Sequence, residues 1–209
     1  MKDLIVENFQ LRRHPFSVEI ETEGLYPFKS FQQGMLRLEQ ATHSRSPVLV
    51  IAEPGAGKTA LIRAYCQKLA ASSFEVRSQL VMLSKSPIRP LLEGFLTGFG
   101  EQIPFNNPAR SLERLKASLA RTYDQGRLPV LLIDDAHHLN ANAWLILKAL
   151  MNYEMDSRLP CLLIFMGKSE TLSTLGLNEL QEVRERLGLC YHLRPLKPQE
   201  IEPYLPDHR

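Results

Sequence analysis

Residues 52–59 combine the side chains and the spacing that are needed to hold a phosphate group. This segment reads Ala52-Glu53-Pro54-Gly55-Ala56-Gly57-Lys58-Thr59. Small residues let successive backbone N–H groups turn toward one point and form a nest for an anion. The lysine ammonium can reach the β- and γ-phosphates of a nucleotide, and the threonine hydroxyl can bind Mg²⁺. The pattern is that of a P-loop in which alanine replaces the usual first glycine.

We therefore predict a site for ATP and Mg²⁺ at this loop, with Lys58 also supporting phosphoryl transfer. The helix after the loop would point its positive N-terminal end at the same phosphates. Ala52 should fit because a residue at the end of a strand keeps a negative φ. The residues predicted to line the nucleotide are Glu53, Pro54, Gly55, Ala56, Gly57, Lys58, Thr59 and Ala60.

Two acids complete the predicted site. Asp134 and Asp135 end an apolar run, 130–133, and a carboxylate at the end of a buried strand is costly unless it binds something. We expect Asp134 to hold the Mg²⁺ through water together with Thr59, and Asp135 to polarise the attacking water as a general base. The more usual residue at the second position is glutamate, and aspartate is one methylene shorter. The sequence therefore predicts a slow ATPase with long-lived ATP-bound states.

The histidines after these acids allow a second interpretation. Asp134, Asp135, His137 and His138 would suit a transition metal by type, but consecutive residues cannot easily converge on one ion. We favour a packed or hydrogen-bonded role for His137 at the start of a helix.

Short apolar runs alternate with helical patterns along the chain. Strands are predicted at 48–51, 80–83, 130–133, 162–166 and 190–193, and helices at 59–71, 88–99, 109–123 and 141–155. Alternation of this kind indicates crossover connections and a mainly parallel sheet. We therefore predict a three-layer α/β/α domain with about five strands, whose ligands bind beyond the carboxyl ends of the strands.

The composition is that of an ordinary globular protein. Of the 209 residues, 44% are hydrophobic and 23% charged, and the net charge of +2 neither requires nor excludes an acidic partner such as DNA. We find no secretory signal and no run near the ~20 apolar residues of a membrane span, and we expect a cytoplasmic protein with no membrane partner.

The chain has three cysteines, Cys66, Cys161 and Cys190, which we expect to be reduced and buried. The alternative is a nucleophile pair formed by Cys190 and His192.

Over nearly its whole length the chain resembles the ExeA/TniB/TnsC/MuB group of AAA+ ATPases. The matching segments are His14-Pro15-Phe16-Ser17 with Leu25-Tyr26, Asp134-Asp135-Ala136-His137-His138-Leu139, Leu163 to Leu172, and Glu182 to Leu187 with Tyr191 to Leu196, Glu200 and Tyr204. The resemblance places the first of these segments beside the adenine, which makes Tyr26 a candidate contact. Packing of that ring in the core is an equal alternative.

The same resemblance implies three further site residues. Ser169, after the strand end, is the candidate sensor that hydrogen-bonds the γ-phosphate or the attacking water. Arg184 and Arg186 are candidates for the arginine finger that reaches a neighbouring subunit's ATP. A solvated helix face with alternating charges is the other interpretation of these two arginines.

The resemblance also divides the chain. It implies an N-terminal segment and first helix packed on the core at 1–45, the AAA+ ATPase core at 46–195, and the start of a connector at 196–209. A helical lid usually follows that connector, and we expect it to be largely absent from this chain.

Three functions remain open. A transposition regulator would assemble with ATP on double-stranded DNA as a ring or filament and recruit a transposase; Lys85 and Arg89 would then face the DNA, unless they are ordinary surface charges. An ExeA-like secretion-assembly ATPase would add a membrane span and a peptidoglycan-binding part. An ATP-binding scaffold with little hydrolysis is the third. A superfamily-two helicase would need two motor domains, for which the chain is too short.

Overall fold

A computed structural model describes residues 25–70, 74–81, 87–104, 107–151 and 161–200. The strands are β1 (Val48–Ala52), β2 (Phe74–Leu80), β3 (Leu128–Asp134), β4 (Leu162–Gly167) and β5 (Leu189–Leu193). The helices are α1 (Lys29–Ser44), α2 (Lys58–Ala70), α3 (Ile88–Gly98), α4 (Pro108–Asp124), α5 (Ala141–Met151), α6 (Glu170–Leu175) and α7 (Gln181–Arg186), with 3₁₀ turns at Ala136–His138 and Asn178–Leu180.

The five strands form one parallel sheet in the order β2-β3-β4-β1-β5. Because side chains alternate across a strand, each central strand contributes side chains to two cores, one on each face of the sheet. On β1, Val50 faces a core closed by α1 and α2, whereas Ile51 faces a core closed by α3, α4 and α5. The predicted three-layer α/β/α domain with a five-stranded parallel sheet is confirmed.

Helix α1 lies close against the sheet and against α2. A Cβ atom at Gly34 would lie 2.9 Å from Cδ2 of Leu61 and 3.1 Å from Cε1 of Tyr191, so glycine permits this approach. At its N-terminal end, the Tyr191 hydroxyl donates to the carbonyl oxygen of Ser30 at 2.6 Å. The Glu200 carboxylate accepts hydrogen bonds from the N–H groups of Lys29 (3.0 Å) and Lys197 (2.9 Å). Helix α1 is therefore tied both to β5 and to the segment that follows it.

The second strand differs from its prediction. The apolar run 80–83 predicted its centre, but β2 begins at Phe74 and the N–H of Val81 still donates to the Asp134 carbonyl oxygen at 2.9 Å. This is an edge strand, and its early residues alternate: Phe74 packs against one core, while Glu75 and Arg77 on the other face pair with each other at 2.5 Å. A search for continuous apolar runs misses such a strand, since only the central strands are buried on both faces.

No helix within the described ranges is both long and apolar enough to cross a membrane.

The expectation of three buried thiols is wrong in part: Cys161 is buried and Cys66 half-buried, but Cys190 is exposed on the edge strand β5. Burial raises the pKa of Cys161 to about 12, and packing around the Cys190 sulfur raises the pKa of that thiol although the residue as a whole is exposed. A raised pKa keeps Cys190 a thiol at neutral pH, which disfavours the nucleophile interpretation.

Candidate active site

The loop between β1 and α2 has the backbone of an anion nest. Gly55 and Gly57 have φ of +80° and +90°, a region that side-chain-bearing residues rarely adopt. A Cβ atom at Gly55 would meet nothing within 4 Å, so conformation, not space, requires glycine there. Ala52 ends β1 in register with Leu193 and is not among the non-glycine residues with positive φ, in agreement with the expectation for that position.

Lys58 lies between the loop and the two acids of β3. Its ammonium nitrogen is 2.8 Å from Oδ1 of Asp134 and 2.9 Å from Oδ1 of Asp135. The Lys58 side chain is 18% exposed, which leaves the ammonium only partly hydrated. The parallel register explains the meeting, since β1 and β3 both flank β4 and end at the same edge of the sheet. The residues that the sequence places 76 and 77 positions apart are thus brought together.

Through this contact the Lys58 ammonium and the Asp135 carboxylate shift each other's pKa. Burial alone lowers the pKa of Lys58, but hydrogen bonds and charges from Asp134 and Asp135 outweigh it and raise the pKa above its ordinary value. Burial would raise the pKa of Asp135, but the hydrogen bond and charge of Lys58 lower it. Both shifts favour the ionised pair at neutral pH.

Asp135 has an unusual backbone. Its φ of +52° and ψ of +40° are left-handed, and it is the residue that opens the 3₁₀ turn Ala136–His138. Its N–H donates to Oδ1 of Asp134 at 2.7 Å, and its carbonyl oxygen accepts from the N–H of His138 at 2.9 Å. Aspartate and asparagine tolerate this region better than longer side chains. The backbone therefore gives a conformational reason for aspartate at this position.

The donor set around Lys58 fits Mg²⁺. Thr59 opens α2 with an exposed hydroxyl, and Asp134 ends β3 with a carboxylate, and oxygen ligands of these two kinds are the ones Mg²⁺ prefers. In the part of the chain that the structure describes, no group of three His, Cys, Asp or Glu side chains is placed to hold a metal ion. The site thus offers one or two oxygen ligands, which is the number that a magnesium ion shared with nucleotide phosphates needs.

Ser169 lies against the P-loop. Its hydroxyl donates to Oε1 of Glu53 at 2.5 Å, so the end of β4 and the second residue of the loop are in direct contact. The preceding turn is crowded, because a Cβ atom at Gly167 would lie 2.2 Å from Oγ1 of Thr171 and 3.3 Å from the backbone nitrogen of His137. Glycine at the end of β4 therefore lets the turn after β3 and the start of α6 pack onto the strand.

His137 lies beside the acids. Its Nδ1 is 3.9 Å from Oδ1 of Asp135, and its ring centroid is 4.1 Å from that of His138. Burial, followed by the charges of His138 and Lys168, lowers the pKa of His137 despite the opposing charge of Asp135. The side chain is packed, as the sequence predicted, but its Nδ1 has no hydrogen-bond partner among the described residues.

The two arginines proposed for a finger differ in their surroundings. Nη1 of Arg184 donates to the carbonyl oxygens of Leu175 and Leu177, the latter at 2.9 Å, and so satisfies carbonyls at the C-terminal end of α6. Arg186 ends α7 and is half-buried. Lys148 of α5 pairs with Glu182 at 2.5 Å and fixes α7 against the rest of the domain. Arg184 thus has a structural task within its own chain.

The remaining candidates lie at the borders of the site. Tyr26 is half-buried, and its role as an adenine contact stays a prediction. Sequence reasoning missed Phe28, whose Cζ lies 3.7 Å from a Cβ built at Gly57; its place two residues after Tyr26, in the segment expected near the adenine, was the available signal. Arg89 pairs with Glu93 of its own helix at 2.8 Å, and Lys85 lies outside the described residues.

The chain is similar in sequence to a known protein over nearly its whole length. General secretion pathway protein A of Aeromonas hydrophila is 25% identical over 201 residues, which cover 94% of this chain and 36% of that protein. The chain thus spans little more than a third of this relative's length.

Solved structures share the fold. The ORC1 protein of Aeropyrum pernix, solved in complex with DNA, superposes with a TM-score of 0.67 at 18% identity, covering 91% of this chain and 51% of that one. Cdc6p of Pyrobaculum aerophilum gives a TM-score of 0.67 at 16% identity, covering 93% of this chain and 52% of that one.

The family model described as an AAA domain matches residues 41–175, well over half of the chain. These residues include the P-loop, Asp134 and Asp135 at the end of β3, and Ser169 after β4, whereas β5 and the arginines of α7 lie outside the match. Together with the similarity to general secretion pathway protein A, the match confirms the resemblance to ExeA-like AAA+ ATPases. The chain therefore belongs to the AAA domain family.

Proposed function

We propose that this domain binds Mg-ATP and hydrolyses it slowly. The observation that carries the proposal is the Lys58 ammonium, held between the P-loop and the carboxylates of Asp134 and Asp135. Phosphates seated in the nest would draw Lys58 away from the acids. Asp134 and Thr59 would then bind the Mg²⁺, and Asp135 would accept a proton from the attacking water.

Two neighbouring groups complete the proposed chemistry. Ser169 would exchange its hydrogen bond with Glu53 for one to the γ-phosphate or the attacking water. Of the two candidates for a finger acting on a neighbouring subunit, Arg184 would first have to release the carbonyl oxygens of its own chain, and Arg186, at the end of α7, is the other. A guanidinium supplied in this way would neutralise charge that builds on the transferred phosphoryl group.

We further propose that ATP drives assembly of this protein on double-stranded DNA as a homo-oligomer that regulates a transposase. The resemblance to transposition regulators supports this function, and the ORC1 protein that shares the fold was solved with DNA. Arg89 and Lys85 remain the proposed phosphate contacts. Arg89 is exposed on α3, and its ion pair with Glu93 would have to be shared with or exchanged for a phosphate.

Fluorescence anisotropy on labelled duplex DNA tests the assembly, with ATP, ADP or no nucleotide, alongside a size measurement of the complex. ATP-dependent multimers on DNA are expected, with log affinity falling by about 0.9 per phosphate contact for each tenfold rise in salt. Arg37→Ala, which removes an exposed cation from α1 on the opposite side of the sheet from α3, is the matched control for Arg89→Ala. Absence of DNA binding at low salt in every nucleotide state would reject the DNA function but not the ATPase.

The second candidate is a part in the assembly of a secretion machinery. The similarity to general secretion pathway protein A over 94% of the chain favours it. ATP turnover without any DNA binding would support this candidate. ATP-dependent assembly without turnover would instead support an ATP-binding scaffold.

A further inference from the structure

Nδ1 of His137 is buried and makes no hydrogen bond with any residue that the structure describes; the side chain is 8% exposed. A buried polar atom in that state is costly, and buried polar groups in folded proteins are nearly always satisfied. The arrangement therefore indicates that Nδ1 gains a partner in another state of the site.

An acceptor close to Nδ1 is the carboxylate of Asp135. Its Oδ1 lies 3.9 Å from Nδ1, so the two atoms need to approach by about 1 Å to form a hydrogen bond. In the present arrangement the same oxygen accepts from Lys58 at 2.9 Å. The lysine therefore holds the oxygen to which the histidine would donate.

The backbone of His137 packs close to the end of β4. Its nitrogen lies 3.3 Å from the position of a Cβ at Gly167, and Oγ1 of Thr171 lies 2.2 Å from that position. The end of β4 thus supports the turn directly. Movement of Nδ1 toward Asp135 is consequently left to the side-chain torsions of the two residues.

We propose that His137 is a positioning residue for Asp135: when Lys58 leaves the acids for the phosphates, Nδ1–H of His137 donates to the Asp135 carboxylate and aims it at the attacking water. The proposal rests on the proposed ATPase function, because the nucleotide must draw Lys58 away. In the reaction the water oxygen bonds to the γ-phosphorus as the bond to ADP breaks. Asp135 accepts the water proton, and His137 keeps its own.

Such a contact compensates for the short side chain of Asp135. A carboxylate that reaches less far gains more from a fixed orientation, because general-base catalysis requires the base to lie within hydrogen-bond reach of the proton. The left-handed backbone of Asp135 sets where the side chain starts, and His137 would set where it points.

The test compares His137→Leu with His137→Asn in ATP turnover. The amide nitrogen of asparagine occupies nearly the place of histidine Nδ1 and can donate the same hydrogen bond, whereas leucine cannot. We expect kcat to fall by about tenfold in His137→Leu with KM within about twofold of the wild type, and to recover largely in His137→Asn. His43→Asn, the same substitution at an exposed histidine of α1, is expected to keep wild-type turnover.

Calorimetry with Mg-ATP and thermal unfolding accompany the kinetics. Equal turnover in all variants, or a parallel loss in His137→Leu and His137→Asn, would overturn the role of His137. A wild-type protein that fails to bind Mg-ATP would instead sink the proposed function. If the protein binds ATP but turns it over too slowly to measure, NMR of the His137 imidazole decides: a downfield Nδ1 proton that appears with Mg-ATP and is missing in Asp135→Ala, which has no acceptor, supports the contact, and no such proton overturns it.

Discussion

Nζ of Lys58 and Oδ1 of Asp134 are 2.8 Å apart, so the cation of the P-loop and the acid of β3 neutralise each other. A lysine ammonium is a compact point charge that cannot serve two acids and a triphosphate with equally short contacts. In the proposed mechanism, binding of nucleotide would therefore also release Asp134 for the metal. This exchange of partners underlies the first two predictions.

Lys58→Ala should weaken ATP binding by roughly ten- to a hundredfold, because one charge-assisted contact to a phosphate contributes about 1.5–3 kcal/mol. Calorimetry with Mg-ATP measures the change. Lys68→Ala is the matched control: Lys68 lies on the same helix, and its ion pair with Glu39 at 2.6 Å is on the surface. Equal affinity of the two variants would contradict the role of Lys58.

Asp135→Glu is expected to raise turnover and to lower the stability of the domain. The longer carboxylate approaches the attacking water more closely, and we expect turnover to rise by more than about twofold. The left-handed backbone should at the same time lower the free energy of unfolding by roughly 1 kcal/mol. Steady-state kinetics and chemical unfolding measure the two effects separately. A smaller rise in turnover would show that the length of the side chain does not limit the reaction.

The ionised Lys58–Asp135 pair should stabilise the nucleotide-free domain within a defined pH window. The pKa of Asp135 is lowered, so its contribution is present above the unfolded value of about 3.9 and is lost as pH falls through the folded pKa. The pKa of Lys58 is raised, so its contribution is present below about 10.4 and is lost as pH rises through the folded pKa.

Urea unfolding of the wild type and Asp135→Asn at a series of pH values checks this window. The difference in the free energy of unfolding should be constant from about pH 5 to 9 and shrink below about pH 4. A difference that does not change with pH, or that grows in acid, would show that the pair makes no such contribution.

The two arginines of α7 are expected to differ, with Arg184 contributing to stability and Arg186 to turnover. Arg184→Ala removes a donor from the carbonyl oxygens of Leu175 and Leu177, of which Leu177 keeps the N–H of Leu180, and should lower the free energy of unfolding by about 1–3 kcal/mol. Arg186→Ala is expected to reduce turnover of the assembled protein at least about tenfold. Unfolding curves and turnover at increasing protein concentration measure the two. Unchanged turnover in assembled Arg186→Ala would remove that residue from the proposed chemistry.

The elements of the site that are local in sequence were predictable. Gly55, Gly57 and Lys58 follow a buried strand and open a helix, and Asp134 ends another such strand. The parallel topology then requires these residues to meet, because the carboxyl ends of the strands share one edge of the sheet. The central strands were equally clear because both of their faces are buried.

The contacts that depend on packing were not predictable. Nothing in the spacing of Glu53 and Ser169 indicates a hydrogen bond across 116 residues, and nothing in Arg184 indicates the carbonyl oxygens that it contacts. The left-handed backbone of Asp135 also arises from the turn and not from the residue alone. Strand β2 was misplaced because the alternation of an edge strand was weaker than the apolar run beside it.

The hydrogen bond between Glu200 and Lys29 joins the segment after β5 to the first turn of α1. Lys29 directly follows Phe28, whose Cζ lies 3.7 Å from the position of a Cβ at Gly57 in the P-loop. The segment after β5 and the phosphate loop therefore have neighbours in a single short stretch, Phe28 and Lys29, with no strand of the sheet between them.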